Sequence, residues 1–81
     1  MNHSNIIVSS KEIIFGKPRI NGTRISVQQI LAYLSQGYSF NEIIEFHPEL
    51  KERDIKACID YANDLVSSIK IITPSFKVAH A

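Results

Sequence analysis

Arg19-Ile20-Asn21-Gly22-Thr23-Arg24-Ile25-Ser26-Val27-Gln28-Gln29-Ile30-Leu31-Ala32-Tyr33-Leu34-Ser35-Gln36-Gly37 is the stretch in which the chain changes period. Asn21-Gly22 is the strongest two-residue hairpin signal, because a type I′ turn takes φ > 0 at both central positions. Arg19-Ile20 and Thr23-Arg24-Ile25 are expected as the two short arms of that turn. From Val27 the apolar residues fall at i, i+3, i+4 and i+7 (Val27, Ile30, Leu31, Leu34), one stripe of a helix. Ser26 is placed to cap its start and Gly37 to end it from the C′ position. A β-ribbon feeding a helical bundle is the architecture this implies.

Upstream, Asn5-Ile6-Ile7-Val8-Ser9 and Glu12-Ile13-Ile14-Phe15 are β-branched-rich runs without helical period, and are expected as strands. Gly16-Lys17-Pro18 breaks the second, since Pro lacks an N–H and biases Lys17 away from helix. A two-stranded ribbon is marginal alone, so it must pack on another element or another copy. Downstream, Ser39 and Glu42 form a capping box, Tyr38 is placed to staple onto Ile43, and Phe40, Ile43, Ile44 and His47 make an inner stripe. The third helix is the longest and carries Ile55, Cys58, Ile59, Ala62, Leu65 and Val66 on one face, although Lys51 stands where a Ser, Thr or Asp cap is expected. Pro74 bars helix beyond about Thr73. The expected fold is therefore mainly α in a single domain. Residues 1–25 form a β-ribbon arm, 26–68 a three-helix, helix-turn-helix-like bundle, and 69–81 a tail.

Composition bounds the function. Of 81 residues, 44% are hydrophobic and 21% charged, an ordinary globular balance. Fourteen isoleucines and no tryptophan make the core aliphatic. A chain this short buries only roughly 60% of its unfolded surface. One cysteine, Cys58, makes no internal disulfide and agrees with a reducing cytoplasm. Oligomerisation or a partner is the remaining stabiliser. The apolar runs fall far short of the ~20 residues a membrane helix needs, and the start lacks the pattern of a signal peptide.

Net charge is +1, but it is unevenly divided. Residues 1–40 set Lys11, Lys17, Arg19 and Arg24 against Glu12 alone. Residues 41–65 set Lys51, Arg53 and Lys56 against Glu42, Glu45, Glu49, Glu52, Asp54, Asp60 and Asp64. The asymmetry points to an N-terminal part that meets a polyanion, or to a mixed solvated surface.

Phe15-Gly16-Lys17-Pro18-Arg19-Ile20-Asn21-Gly22-Thr23-Arg24-Ile25-Ser26-Val27 resembles the opening signature of the family catalogued as domain of unknown function 433. So do Leu34-Ser35-Gln36-Gly37-Tyr38-Ser39, Glu42-Ile43-Ile44, His47-Pro48-Glu49-Leu50, Asp54-Ile55-Lys56-Ala57 and Asp60-Tyr61-Ala62. Lys51 departs from the Thr or Ser that the family favours there. The resemblance implies a VapB-type antitoxin with a helix-turn-helix-like fold. It would neutralise a PIN-like ribonuclease toxin and bind its own promoter DNA. The rival readings are a protein-interaction module that ignores DNA, and a stand-alone transcription regulator.

Lys17, Arg19 and Arg24 flank the tight turn, with Lys11 just upstream. Alternate ribbon residues share a face, so Lys17 and Arg19 are expected to point together at phosphate or guanine. Arg24 joins them, or pairs with an acid of the second or third helix and pins the hairpin. Arg53 and Lys56 suit phosphate contact, or belong to a solvated face laced with pairs such as Glu52–Lys56. Ile71, Ile72, Phe76, Lys77 and Val78 are the expected toxin-binding residues of the tail, which is otherwise a disordered end or a strand on its own dimer. A homodimer by exchange of N-terminal strands is expected. His3, His47 and His80 are too far apart for a local ligand motif, Cys58 reads as core, and no catalytic residue, metal or cofactor is expected.

Overall fold

A computed structural model describes residues 3, 5–10 and 13–68. Two strands, β1 (Ile7–Val8) and β2 (Arg19–Ile20), precede three helices, α1 (Val27–Ser35), α2 (Phe40–Phe46) and α3 (Glu52–Ser68). The fold is mainly α with an N-terminal antiparallel strand pair. The register sets Ile7 opposite Ile20 and Val8 opposite Arg19.

The ribbon differs from its expected form in two ways. Of the run Glu12–Phe15 expected as a strand, the described residues 13–15 form none: Ile13 makes only an isolated bridge to Ser10, and Ile14–Gly16 is a 3₁₀ turn. Ile13 N–H bonds Ser10 O, Gly16 N–H bonds Ile13 O and Lys17 N–H bonds Ile14 O. These local i→i+3 bonds use up the donors that a ladder would need. Ile14 there has φ of 42°, in the left-handed region that a β-branched residue seldom enters. The second difference is the partner of β2. Asn21-Gly22 does turn the chain, but positive φ falls on Gly22 alone (83°), the signature of type II rather than I′. Thr23 N–H bonds Ile20 O, Ile20 N–H bonds Ile25 O, and a single bridge joins Arg19 to Ser26. The returning arm thus covers one edge of β2 while β1 of the same chain covers the other. Arg19–Ile20 becomes a central strand, and both residues are buried.

The helices follow their local signals. Ser26 caps α1, its side chain accepting from Gln29 N–H at 3.0 Å. At the other end Gly37 has φ of 95°, Gly37 N–H bonds Leu34 O and Tyr38 N–H bonds Tyr33 O. That bond pair is a Schellman motif, and the Tyr33 and Tyr38 rings meet edge-on over it. The capping box of α2 is complete, Ser39 N–H to Glu42 Oε1 at 2.8 Å and Glu42 N–H to Ser39 Oγ at 3.1 Å. At the start of α3, Lys51 supplies no cap side chain, but its N–H donates to Asp54 Oδ2 at 2.8 Å, the carboxylate half of a capping box.

Ile7, Ile20, Ile25, Val27, Ile30, Ile43, Leu50, Ile55, Ala57 and Cys58 are buried together, drawn from the ribbon, the turn and all three helices. Phe40, Ile44, Leu31 and Leu34 pack against this cluster, half-buried. On α3 the expected stripe divides. Ile55 and Cys58 are fully buried, whereas Ile59, Leu65 and Val66 are 40%, 49% and 60% exposed.

Candidate nucleic-acid and partner surfaces

The basic residues of the ribbon separate by burial. Lys17, between the left-handed Gly16 and Pro18, and Arg24, after the Asn21-Gly22 turn, are both exposed. They share a groove of about 270 Å³ with Ile14, Ser26 and Gln29, at the first turn of α1. Among the described residues no carboxylate lines it, so the positive field there meets no local counter-charge from them. Among the same residues Arg24 forms no ion pair with an acid of α2 or α3.

Arg19 does not join this exposed set. It is 8% exposed, held in the central strand, with Nη2 donating to Ser10 Oγ at 3.4 Å. Lys17 and Arg19 therefore do not present one outward face: Lys17 is exposed and Arg19 is buried. Lys11 lies outside the described residues. On α3, Lys56 Nζ meets Glu52 Oε1 at 3.0 Å, both side chains more than half exposed, in keeping with the i,i+4 pairing expected of a solvated face. Such a pair contributes only about 0.3–0.5 kcal/mol. Arg53 is exposed beside it.

A second groove, of about 260 Å³, adjoins the first through Lys17. Its walls are apolar: Pro18, Val27, Leu31, Tyr61, Ala62 and Leu65. The exposed Leu65 and Val66 continue this apolar character along α3. A further aromatic patch gathers Tyr33, Tyr38, Phe46 and His47, with Tyr38 and Phe46 rings 5.2 Å apart and His47 Nε2 3.1 Å from Tyr33 Oη. His47 is half-buried at the end of α2. Phe46 falls off the α2 stripe, and no sequence pattern marks it. Its ring neighbours are Tyr33 of α1 and Tyr38 of the α1–α2 turn, so only the packing of α2 against them reveals it. The expected toxin-binding residues Ile71, Ile72, Phe76, Lys77 and Val78 lie outside the described residues.

Two further groups carry titratable side chains. His3 Nε2 lies 2.7 Å from Asp64 Oδ2 and 3.9 Å from Asp60 Oδ2, its ring edge-on to Tyr61. The three polar side chains sit within 4.8 Å of one another, a grouping no local motif could show because the histidine comes from the far end of the chain. It ties the N-terminal segment to α3. Cys58 is fully buried, and burial, with the Asp54 carboxylate adding to it, pushes its thiol up to about 12. A thiol held neutral in this way is inert packing rather than a nucleophile.

Fold and surface together define a class: a small, mainly-α domain whose N-terminal strand pair lies against three helices and borders a basic and an apolar groove. Residues 7–62 match the model of a family described as "Protein of unknown function (DUF433)". The chain belongs to that family. Its structure resembles the crystal structure of a DUF433 member from Anabaena variabilis ATCC 29413, with a TM-score of 0.71 and 31% identity, over 75% of this chain and 60% of that one. In sequence it is 33% identical over 57 residues to the uncharacterized protein y4eO of Sinorhizobium fredii (strain NBRC 101917 / NGR234). That match covers 70% of this chain but only 26% of the relative, so the chain spans about a quarter of the relative's length.

Among the described residues, no helix is long and apolar enough to cross a membrane.

Proposed function

We propose that this chain is the antitoxin of a type II toxin–antitoxin pair, a cytoplasmic homodimer that neutralises a PIN-like ribonuclease and binds its own promoter DNA. The observation that supports this reading best is the adjacency of two unlike grooves sharing Lys17. The groove of Lys17 and Arg24 suits a phosphate backbone, with the exposed Gln29 amide beside it. The apolar groove and the open end of α3 suit an apolar protein segment. A chain with both can hold DNA and a protein at once, which autoregulation by a toxin–antitoxin complex requires. Lys17 and Arg24 carry the DNA contact in this reading, and Arg19 is withdrawn from it by its burial. The tail remains the expected toxin-binding segment, with the apolar groove as a second contact.

Fluorescence anisotropy of a promoter duplex against salt tests the reading, with the chain alone and co-expressed with the product of its neighbouring gene. The logarithm of the association constant should fall linearly with log salt. Lys17→Ala/Arg24→Ala should weaken binding and make the slope shallower by about 0.9 for each phosphate that is no longer neutralised. Unchanged affinity in the double variant would overturn the DNA assignment. Failure of the two proteins to co-elute would overturn the toxin assignment.

A further inference from the structure

Arg19 is the charged side chain that the described fold buries, and its surroundings do not explain how its charge is met. A guanidinium taken out of water is costly unless an anion and full hydrogen bonding accompany it. Among the described residues no carboxylate pairs with Arg19. Its side chain makes a 3.4 Å hydrogen bond to the neutral Ser10 hydroxyl, and Nε has no acceptor among the described residues. This side chain nevertheless lines a cavity of about 430 Å³, walled also by Ile13, Asn21, Gly22, Thr23 and Arg24. A second arginine, Arg24, lines the same space. Among the described residues no acid is in the wall. The turn N–H groups of Asn21 and Thr23 are taken by Ile6 O and Ile20 O, but those of Gly22 and Arg24 donate to no acceptor among the described residues.

We propose that this cavity is a binding site for a single phosphate monoester group. Two guanidinium charges match the charge of roughly −1.5 to −2 that a phosphate monoester carries near neutral pH. Its three terminal oxygens offer acceptors for both planar forks and for the free turn amides. A carboxylate, with one charge and two oxygens, would leave one arginine unmatched. An in-line phosphodiester carries a single charge and would likewise leave one arginine unmatched. Free inorganic phosphate and the end phosphate of a nucleotide share this chemistry, and the titration distinguishes them. The site shares Arg24 with the promoter reading but not Lys17, so loss of duplex binding in Lys17→Ala with phosphate binding intact, or the reverse, separates the two.

Proton–nitrogen NMR titrations of the full chain test it, with inorganic phosphate, adenosine 5′-monophosphate and adenosine, at constant ionic strength made up with chloride. Saturable one-to-one shifts of the Gly22 and Arg24 amides and of the Arg19 Nε–H are expected with phosphate and with the monophosphate, and none with adenosine. Equal affinity for both would assign free phosphate, and tighter binding of the monophosphate would assign a nucleotide end. Arg24→Ala should weaken binding about tenfold or more, as expected for loss of a charge-assisted hydrogen bond, while Lys17→Ala leaves it unchanged. Arg19→Lys keeps the charge without the fork and should also bind weakly. Should that variant fail to fold, Arg24→Ala alone decides. Shifts that do not saturate, or that chloride reproduces, would overturn the site. So would saturation appearing only in Glu12→Gln, which would mean that the chain's own carboxylate already holds the cavity.

Discussion

The two halves of α3 carry the same apolar periodicity and put it to opposite uses. In residues 52–58 the stripe is sealed, with Ile55, Ala57 and Cys58 at zero exposure. In residues 59–68 it is open, with Ile59, Leu65 and Val66 in contact with solvent. Length explains the division. At 1.5 Å per residue the 17 residues of α3 run about 25 Å, while α1 and α2, at nine and seven residues, run only about 14 and 10 Å. Neither can cover α3 along its whole length. Periodicity thus identifies a face that wants burial, and the lengths of the neighbouring elements decide how much of it the fold itself buries. The remainder is surface for something else.

The contrast should be largest at Ile55. Ile55→Ala removes packed atoms from a site with no solvent access, and should cost about 2–5 kcal/mol in a urea titration. A loss under about 1 kcal/mol would mean that the first half is not the core. The Cys58 thiol comes next. Its folded-state pKa is raised by burial and by Asp54, so the folded protein holds its proton where the unfolded chain, titrating near the ordinary 9.0, has released it. Stability contributed by the neutral thiol is complete below pH 9 and is lost as pH climbs toward about 12. Unfolding free energy should therefore decline over that window, and Cys58→Ala should flatten part of the decline. A variant that titrates identically to the parent would place Cys58 in water. The smallest effect belongs to the open half: Val66→Asp should change stability by less than about 0.5 kcal/mol. The same substitution should weaken capture of the proposed PIN-like partner. A large loss of stability with no change in capture would erase the distinction between the halves.

Legibility in the sequence followed the range of the interactions. Ser26, Gly37 and the Ser39/Glu42 pair act within one helical turn of themselves, and each does what its local pattern implied. The ribbon was legible as extended chain but not as pairing. Nothing local to Arg19–Ile20 states that β1, twelve residues upstream, takes one edge while Ile25 and Ser26 take the other. Nor does anything local state that Arg19, read there as an outward cation, is buried. Within the candidate surfaces, Lys17 and Arg24 stood out as charges, whereas the makeup of the wall around them is a property of packing. Phe46 and the His3–Asp64 contact escaped for the same reason, since their partners lie on other elements.

The His3–Asp64 contact has an architectural consequence. It brings the third residue within 2.7 Å of the penultimate turn of the last described helix, so the two ends of the described fold lie side by side. A module with adjacent ends can be spliced into a host polypeptide without prying the host apart, and is joined to a neighbour by a short tether. The Sinorhizobium relative, of which the matching stretch is only about a quarter, is a chain of the kind that such geometry allows. In a longer protein this fold would hang from one point, like a pendant, with the wall of the apolar groove at Tyr61 close to the point of attachment.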